Sequence, residues 1–132
     1  MKSSDTGIKR ILKAFVYSYQ GFCATFKSEA AFRQDLVCCL FFGGLAIWFN
    51  IPILHRCLLF ASLILILLAE LINTAIETVI DRISEEYHEL SKKAKDIGSL
   101  LVLLSFICAG ILWLGVIFAD YEILQQQING LL

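Results

Sequence analysis

Glu70, Asn73 and Glu77 stand at i, i+3 and i+7 inside a run that is otherwise fit for lipid. On a helix, those three positions share one face. A charge at the centre of a bilayer helix costs about 2.5–3.5 kcal/mol even on the lenient insertion scale. A short chain that carries two carboxylates and an amide on one stripe therefore uses them for chemistry or for ion movement. Two carboxylates at an aqueous edge can hold a hard divalent cation such as Mg²⁺ when phosphates supply the remaining oxygens. A further carboxylate, partly withdrawn from water, can take the proton of a substrate hydroxyl as a general base. Asn73 by itself has a plainer use, as a hydrogen-bonding contact between membrane helices worth about 0.6 kcal/mol.

The elements that must position this stripe follow from composition and periodicity. The chain has 132 residues, 58% of them hydrophobic, with mean hydropathy +0.76. A soluble domain of this size is nearer half apolar, so a small all-α membrane protein is expected, as a single domain over 1–132. Net charge is −1, which gives no ground for a nucleic-acid partner. Cys23, Cys38, Cys39, Cys57 and Cys108 lie mostly in apolar runs with no C-x-x-C and no histidine at metal spacing, so they read as small apolar filler.

Apolar segments at 30–49, 57–76 and 97–119 are the candidate spans, set within helices expected over 29–49, 53–86 and 97–119. Asn50-Ile51-Pro52 marks a short turn, with Pro52 suited to the first position of the next helix. Upstream, Ile8, Ile11, Leu12, Phe15, Tyr19, Phe22 and Phe26 recur at helical spacing opposite Lys9, Arg10, Lys13 and Lys27. That pattern predicts an amphipathic helix over 7–27 lying in the headgroup layer. Residues 120–132 form a C-terminal tail in which Gln125-Gln126-Gln127 suggests no role.

Lys2, Lys9, Arg10, Lys13, Lys27 and Arg33 precede or open the first span, and Arg82, Lys92, Lys93 and Lys95 follow the second, against Arg56 alone in the outer turn. The positive-inside rule places the N-terminus and the 81–96 region in the cytoplasm and the C-terminus outside. Trp48, Trp113 and Tyr121 read as anchors at the outer face.

From Pro52 to Glu86 there is no glycine or further proline. At 1.5 Å per residue this stretch would span about 52 Å, beyond the roughly 30 Å of hydrocarbon. Counted from Cys57 at the outer edge, Glu70 lies about 20 Å in and Glu77 about 30 Å in. Glu29, at the inner end of the first span, falls at similar depth. Three carboxylates from two helices thus gather where cytosol meets lipid, a depth that suits reaction between a water-soluble and a lipid substrate. Lys95 beside Asp96 adds a cation for phosphate and an acceptor for a ribose hydroxyl. No G-x-x-x-x-G-K-[ST] and no G-x-G-x-x-G is present, so nucleotide use would need a different cradle. From these residues alone, catalysis and an ion or proton path are equally open. A conductor, however, needs polar residues through the whole bilayer, and the outer half of the second span offers only Ser62 and the third span, past Ser99 at its mouth, only Ser105. That dead end favours a one-sided enzyme. Ser62 and Ser105 are placed to bond their own helix backbone.

Glu29-Ala-Ala-Phe-Arg-Gln34, Glu70-Leu-Ile-Asn-Thr-Ala-Ile-Glu77, Asp81-Arg82-Ile83 and the stretch from Glu86 to Ser99 closely resemble the prokaryotic integral-membrane diacylglycerol kinase family, over roughly residues 7–113. The resemblance implies a homotrimer of three-span subunits, each with an N-terminal surface helix, in the bacterial inner membrane. It implies composite sites at the cytoplasmic face and transfer of the γ-phosphoryl of MgATP to the hydroxyl of diacylglycerol, giving phosphatidic acid. It further implies Glu70 as the proton acceptor, Asn73 as its support, and Glu29 and Glu77 as ligands of the metal, Mg²⁺. Nucleotide contacts would be Arg10, Tyr17, Glu86, Tyr87, His88, Lys95 and Asp96. Lipid contacts would be Arg10, Ala14, Phe15, Val16, Tyr17, Ser18 and Tyr19 on the surface helix, Ala31, Phe32, Arg33, Gln34 and Asp35 on the first span, and Glu70 and Ser99. The chain departs from the family in bulkier residues over 15–20, in Gln20 where lysine is common, and in its longer tail. Relatives of the same fold phosphorylate undecaprenol; Glu86-Tyr87-His88-Glu89 and Phe32-Arg33-Gln34 look more like the diacylglycerol branch.

Overall fold

A computed structural model describes residues 7–131; Lys2 of the charge count and Leu132 of the tail lie outside them. The chain is all helical: α1 (Ile8–Ser28), α2 (Ala30–Trp48), α3 (Ile53–Ile83), α4 (Glu89–Ala119) and α5 (Tyr121–Asn129). Three of these, α2, α3 and α4, are long and apolar enough to cross a membrane.

α1 buries none of its residues within the chain. Its joint to α2 is made by Arg33, whose Nη1 donates to the carbonyls of Phe26 at 2.9 Å and Lys27 at 3.2 Å. These carbonyls end the helix without an intrahelical partner, so a guanidinium there satisfies them and favours the negative end of the dipole. Phe22 of α1 meets Phe32 of α2 edge-on at 5.8 Å. Between the two helices Glu29 is extended, with φ −102° and ψ 114°, and its side chain makes no capping bond. The carboxylate is thus left available for other work.

The α2–α3 turn is short and tied. Arg56 donates from Nε to the Ala46 carbonyl at 3.1 Å and from Nη2 to that of Phe49 at 3.1 Å. Pro52 takes the N-cap place, one residue before the first turn of α3. α3 and α4 run antiparallel, with Leu59 near Val116 at one end and Asp81 paired to Lys95 at the other. The face that α4 buries carries Gly98, Ser105, Ala109 and Val116. Small residues let helix backbones approach closely, which is how membrane helices gain packing without a hydrophobic driving force. Ser62 and Ser105 donate to the carbonyls of Leu59 and Val102, each at 2.7 Å, so both hydroxyls are satisfied on their own helices as expected.

Two helix ends differ from the expected ranges. α3 stops at Ile83 rather than Glu86, because Ser84 turns extended and its Oγ accepts the Glu86 N–H at 3.0 Å. Such local hydroxyl bonds compete with helix continuation. α4 begins at Glu89, two turns before the apolar run, because His88 Nδ1 accepts the Leu90 N–H at 3.2 Å as an N-cap.

At the opposite end, Ala46, Ile51, Leu59 and Val116 form a buried apolar cluster with Phe49, Phe60, Trp113 and Leu124 against it. Trp113 packs edge-on to Phe42 at 5.1 Å, so it serves this cluster rather than standing free as an anchor. Trp48 and Tyr121 are exposed. The tail is not featureless. It forms α5, which folds back so that Gln127 Oε1 accepts the Asn50 N–H at 3.0 Å and Gln127 Nε2 donates to the Asn50 carbonyl at 3.4 Å. Asp120, at the α4–α5 joint, is buried and meets His55 Nδ1 at 2.8 Å.

Candidate active site

The carboxylates lie near the start of α2 and in the C-terminal half of α3. Glu70 is only 6% exposed, and its charge is felt together with those of Asp35, Glu77 and Glu29. Asp35 is the addition. The family resemblance implies it as a lipid contact; here its charge also makes it a fourth member of the acidic group, half-buried on α2. The signal was its position as an acid just inside the first apolar run. No hydrogen-bond donor among the described residues ties Glu70, which leaves its oxygens free to face a substrate hydroxyl. One turn on, Asn73 Nδ2 donates to Glu77 Oε1 at 3.3 Å. This bond engages one oxygen of the Glu77 carboxylate and leaves the other without a protein donor among the described residues.

A cleft of about 270 Å³ opens between the end of α3 and the start of α4. Glu86, Tyr87, His88, Lys95 and Asp96 all line it, together with Asp81 and Lys92. The helix ends described above create it: stopping α3 at Ile83 and capping α4 with His88 leaves residues 84–88 to form its wall. Lys95 and Asp96 do not stand as a free cation and a free acceptor. Lys95 Nζ donates to Asp81 Oδ1 at 2.5 Å and Lys92 Nζ to Asp96 Oδ2 at 2.6 Å. The Asp81 hydrogen bond holds the Lys95 ammonium above its usual range, helped by the charges of Asp81 and Glu77. The i, i+4 spacing of Lys92 and Asp96 is that of a helical ion pair.

Arg10 and Tyr17 are not brought to this cleft. Both are exposed on α1, and Arg10 lines a separate groove of about 390 Å³ with Ala14, Phe15 and Ser18. Val16 and Tyr19 are also exposed. Ala31 and Gln34 are exposed on α2. Phe32 is 2% exposed; the edge-on contact with Phe22 puts its ring in the packing between α1 and α2 instead of on a lipid-facing surface. Arg33 is spent on the α1 carbonyls. Ser99 Oγ donates to the Lys95 carbonyl at 3.2 Å.

Among the described residues no group of three or more His, Cys, Asp or Glu side chains forms a metal cage. Glu29 and Glu77 are two oxygen-donor carboxylates whose charges both reach Glu70, a chemistry that suits a different style of binding. Mg²⁺ is commonly held by one or two carboxylates while phosphates and water complete its shell. Glu29 and Glu77 are the residues that would hold it.

A family model described as prokaryotic diacylglycerol kinase matches residues 16–117. The chain is 46% identical over 113 residues to the diacylglycerol kinase of Escherichia coli (strain K12), covering 86% of this chain and 93% of that one. It is 37% identical over 113 residues to the diacylglycerol kinase of Haemophilus influenzae, covering 86% and 96%. It is 41% identical over 109 residues to that of Pseudomonas aeruginosa, covering 83% and 89%. The match takes in α2, α3, nearly all of α4 and the carboxylate group, while α5 falls beyond it. This chain belongs to the prokaryotic diacylglycerol kinase family.

Proposed function

We propose that the protein transfers the γ-phosphoryl group of ATP to the free hydroxyl of diacylglycerol, giving phosphatidic acid. The observation that carries this reading is Glu70, a buried carboxylate without a protein donor among the described residues, on an otherwise apolar helix and among the charges of Asp35, Glu77 and Glu29. As the lipid hydroxyl oxygen bonds to the γ-phosphorus, Glu70 accepts its proton, and the bond from that phosphorus to the bridging oxygen breaks to release ADP. Glu70 then returns the proton to water. Glu29 and Glu77 hold the divalent ion that accompanies the phosphates, and Asn73 keeps Glu77 in place. When bound, such an ion neutralises charge developing on the transferred group. Glu86, Tyr87, His88, Lys95 and Asp96 receive the nucleotide in the cleft, with the two ion pairs opening or re-pairing to admit it. The residues of α1, with Ala31, Gln34, Asp35 and Ser99, border the lipid.

The active form is a homotrimer with sites shared between neighbours. Support comes from Arg10 and Tyr17, which lie away from the cleft of their own chain and would be supplied to a neighbour's. The N-terminus and the carboxylates face the cytoplasm, and α5 lies at the outer surface. Undecaprenol is the competing lipid alcohol. Purified protein in mixed micelles with ATP and Mg²⁺, given either diacylglycerol or undecaprenol, tests this directly. Label transfer to diacylglycerol in clear excess is expected; transfer to undecaprenol alone would overturn the substrate, and ion flux without transfer would overturn the enzyme.

A further inference from the structure

α3 and α4 come together tightly where Asn73 faces Gly98. A Cβ on Gly98 would overlap Asn73 Oδ1 and would lie 3.2 Å from its Cγ. Gly98 is buried. The other two glycines of α4 behave differently: a Cβ on Gly110 or Gly115 would meet nothing within 4 Å. Asn73 Oδ1 is itself buried without a hydrogen-bond partner, whereas its Nδ2 donates to Glu77 Oε1 at 3.3 Å. The Gly98 Cα–H that takes the Cβ direction points at Oδ1, a weak C–H···O contact of the kind found where helices pack closely. An amide has one accepting and one donating end. Turning it round would set its oxygen against the Glu77 carboxylate and its NH₂ against a C–H that accepts nothing.

We infer that Gly98 is a positioning residue: its missing side chain leaves the slot that seats the Asn73 carbonyl, and seating that carbonyl aims the amide N–H at Glu77. The functional part of this inference rests on the reading of Glu77 as a metal-holding carboxylate. Gly98 touches neither substrate nor ion and acts only through Asn73. Any other residue at 98 carries a Cβ, which would push the amide out of its slot and release the carboxylate it orients.

The test compares Gly98→Ala with Gly110→Ala in the full chain, by two readouts. One is the Mg²⁺ concentration that half-saturates lipid phosphorylation. The other is Mn²⁺ bound with an unreactive ATP analogue, followed by electron paramagnetic resonance, which needs no turnover. Gly98→Ala should weaken both by at least about tenfold, the scale for losing a residue that orients a metal ligand, and Gly110→Ala should weaken neither. Asn73→Ala should match Gly98→Ala, and combining the two should add nothing, because they act as one unit. Wild-type metal affinity in Gly98→Ala overturns the inference. If Gly98→Ala does not fold, the double variant decides: recovered folding supports the overlap with Asn73, and continued misfolding overturns it. Glu77→Gln separates the two ideas. Unchanged Mn²⁺ binding in that variant removes the metal role of Glu77, whereas weakened binding there with none in Gly98→Ala defeats the role of Gly98 alone.

Discussion

Two buried acids mark the two ends of the helix bundle, and their surroundings are opposite. Asp120 is 4% exposed and Glu70 is 6% exposed. Asp120 has a partner, His55 at 2.8 Å, and sits in an end closed by Arg56 on two carbonyls, by the Asn50–Gln127 pair and by an apolar cluster. Glu70 has no donor among the described residues and faces three further carboxylates, Asp35, Glu77 and Glu29. Beside it, the Asn73 carbonyl is buried and unpaired. A buried polar group that finds its partner supports the fold, and one crowded by like charge works against it. Departures of the second kind concentrate at functional sites. The Asp120 end is built for holding the helices together, and the Glu70 end keeps groups that a stable fold alone would not select.

Substitutions can break or sharpen that contrast. The largest effect is expected at Glu70. Glu70→Gln keeps shape and hydrogen bonding but cannot take a proton, so turnover should fall by at least about 10²-fold, the lower range for loss of a general base. Near-normal turnover would remove Glu70 from that role. Next come Glu29→Gln and Glu77→Gln. Each should raise the Mg²⁺ requirement, and the double variant should fall well short of the product of the single losses, because both side chains serve one ion. Multiplicative losses in a metal titration would show that they act separately.

At the Asp120 end the effects are on stability. Asp120→Ala leaves His55 without its partner and should cost about 1.5–3 kcal/mol in denaturant unfolding, with turnover per folded molecule retained. Gln127→Ala should cost less, about 0.5–1.5 kcal/mol, since Asn50 is exposed and water can replace the lost bonds. A loss of turnover in either variant without unfolding would show that the two ends are coupled.

What could be read from the residues, and what could not, divides along physical lines. Helical periodicity and apolar length reveal which faces a helix has. So the three spans, the surface helix and the shared face of Glu70, Asn73 and Glu77 were legible. Which group a face meets depends on tertiary contact and leaves little local trace. The Asp81–Lys95 pair spans 14 residues and the Asn50–Gln127 pair spans 77; neither has a sequence period to announce it. Asp35 was visible as an acid near an apolar run, but its approach to Glu70 comes from how α2 packs on α3. Ser84 and His88 end and start helices through single side-chain bonds, which competed with a longer apolar and charge pattern and prevailed. Gly98 carried no signal, because its importance lies in an atom of another helix. α5 was missed because three successive glutamines have no amphipathic pattern of their own; only Gln127 is turned toward a partner.

Thermal unfolding of Glu70→Gln beside Asp120→Ala, without substrates, tests the contrast most directly. Removing a charge from a crowded acidic group should leave Glu70→Gln at or above the unfolding temperature of the wild type, while Asp120→Ala unfolds lower. If Glu70→Gln instead unfolds as early as Asp120→Ala, Glu70 is a structural acid like its counterpart, and its end of the bundle is not held against stability for catalysis.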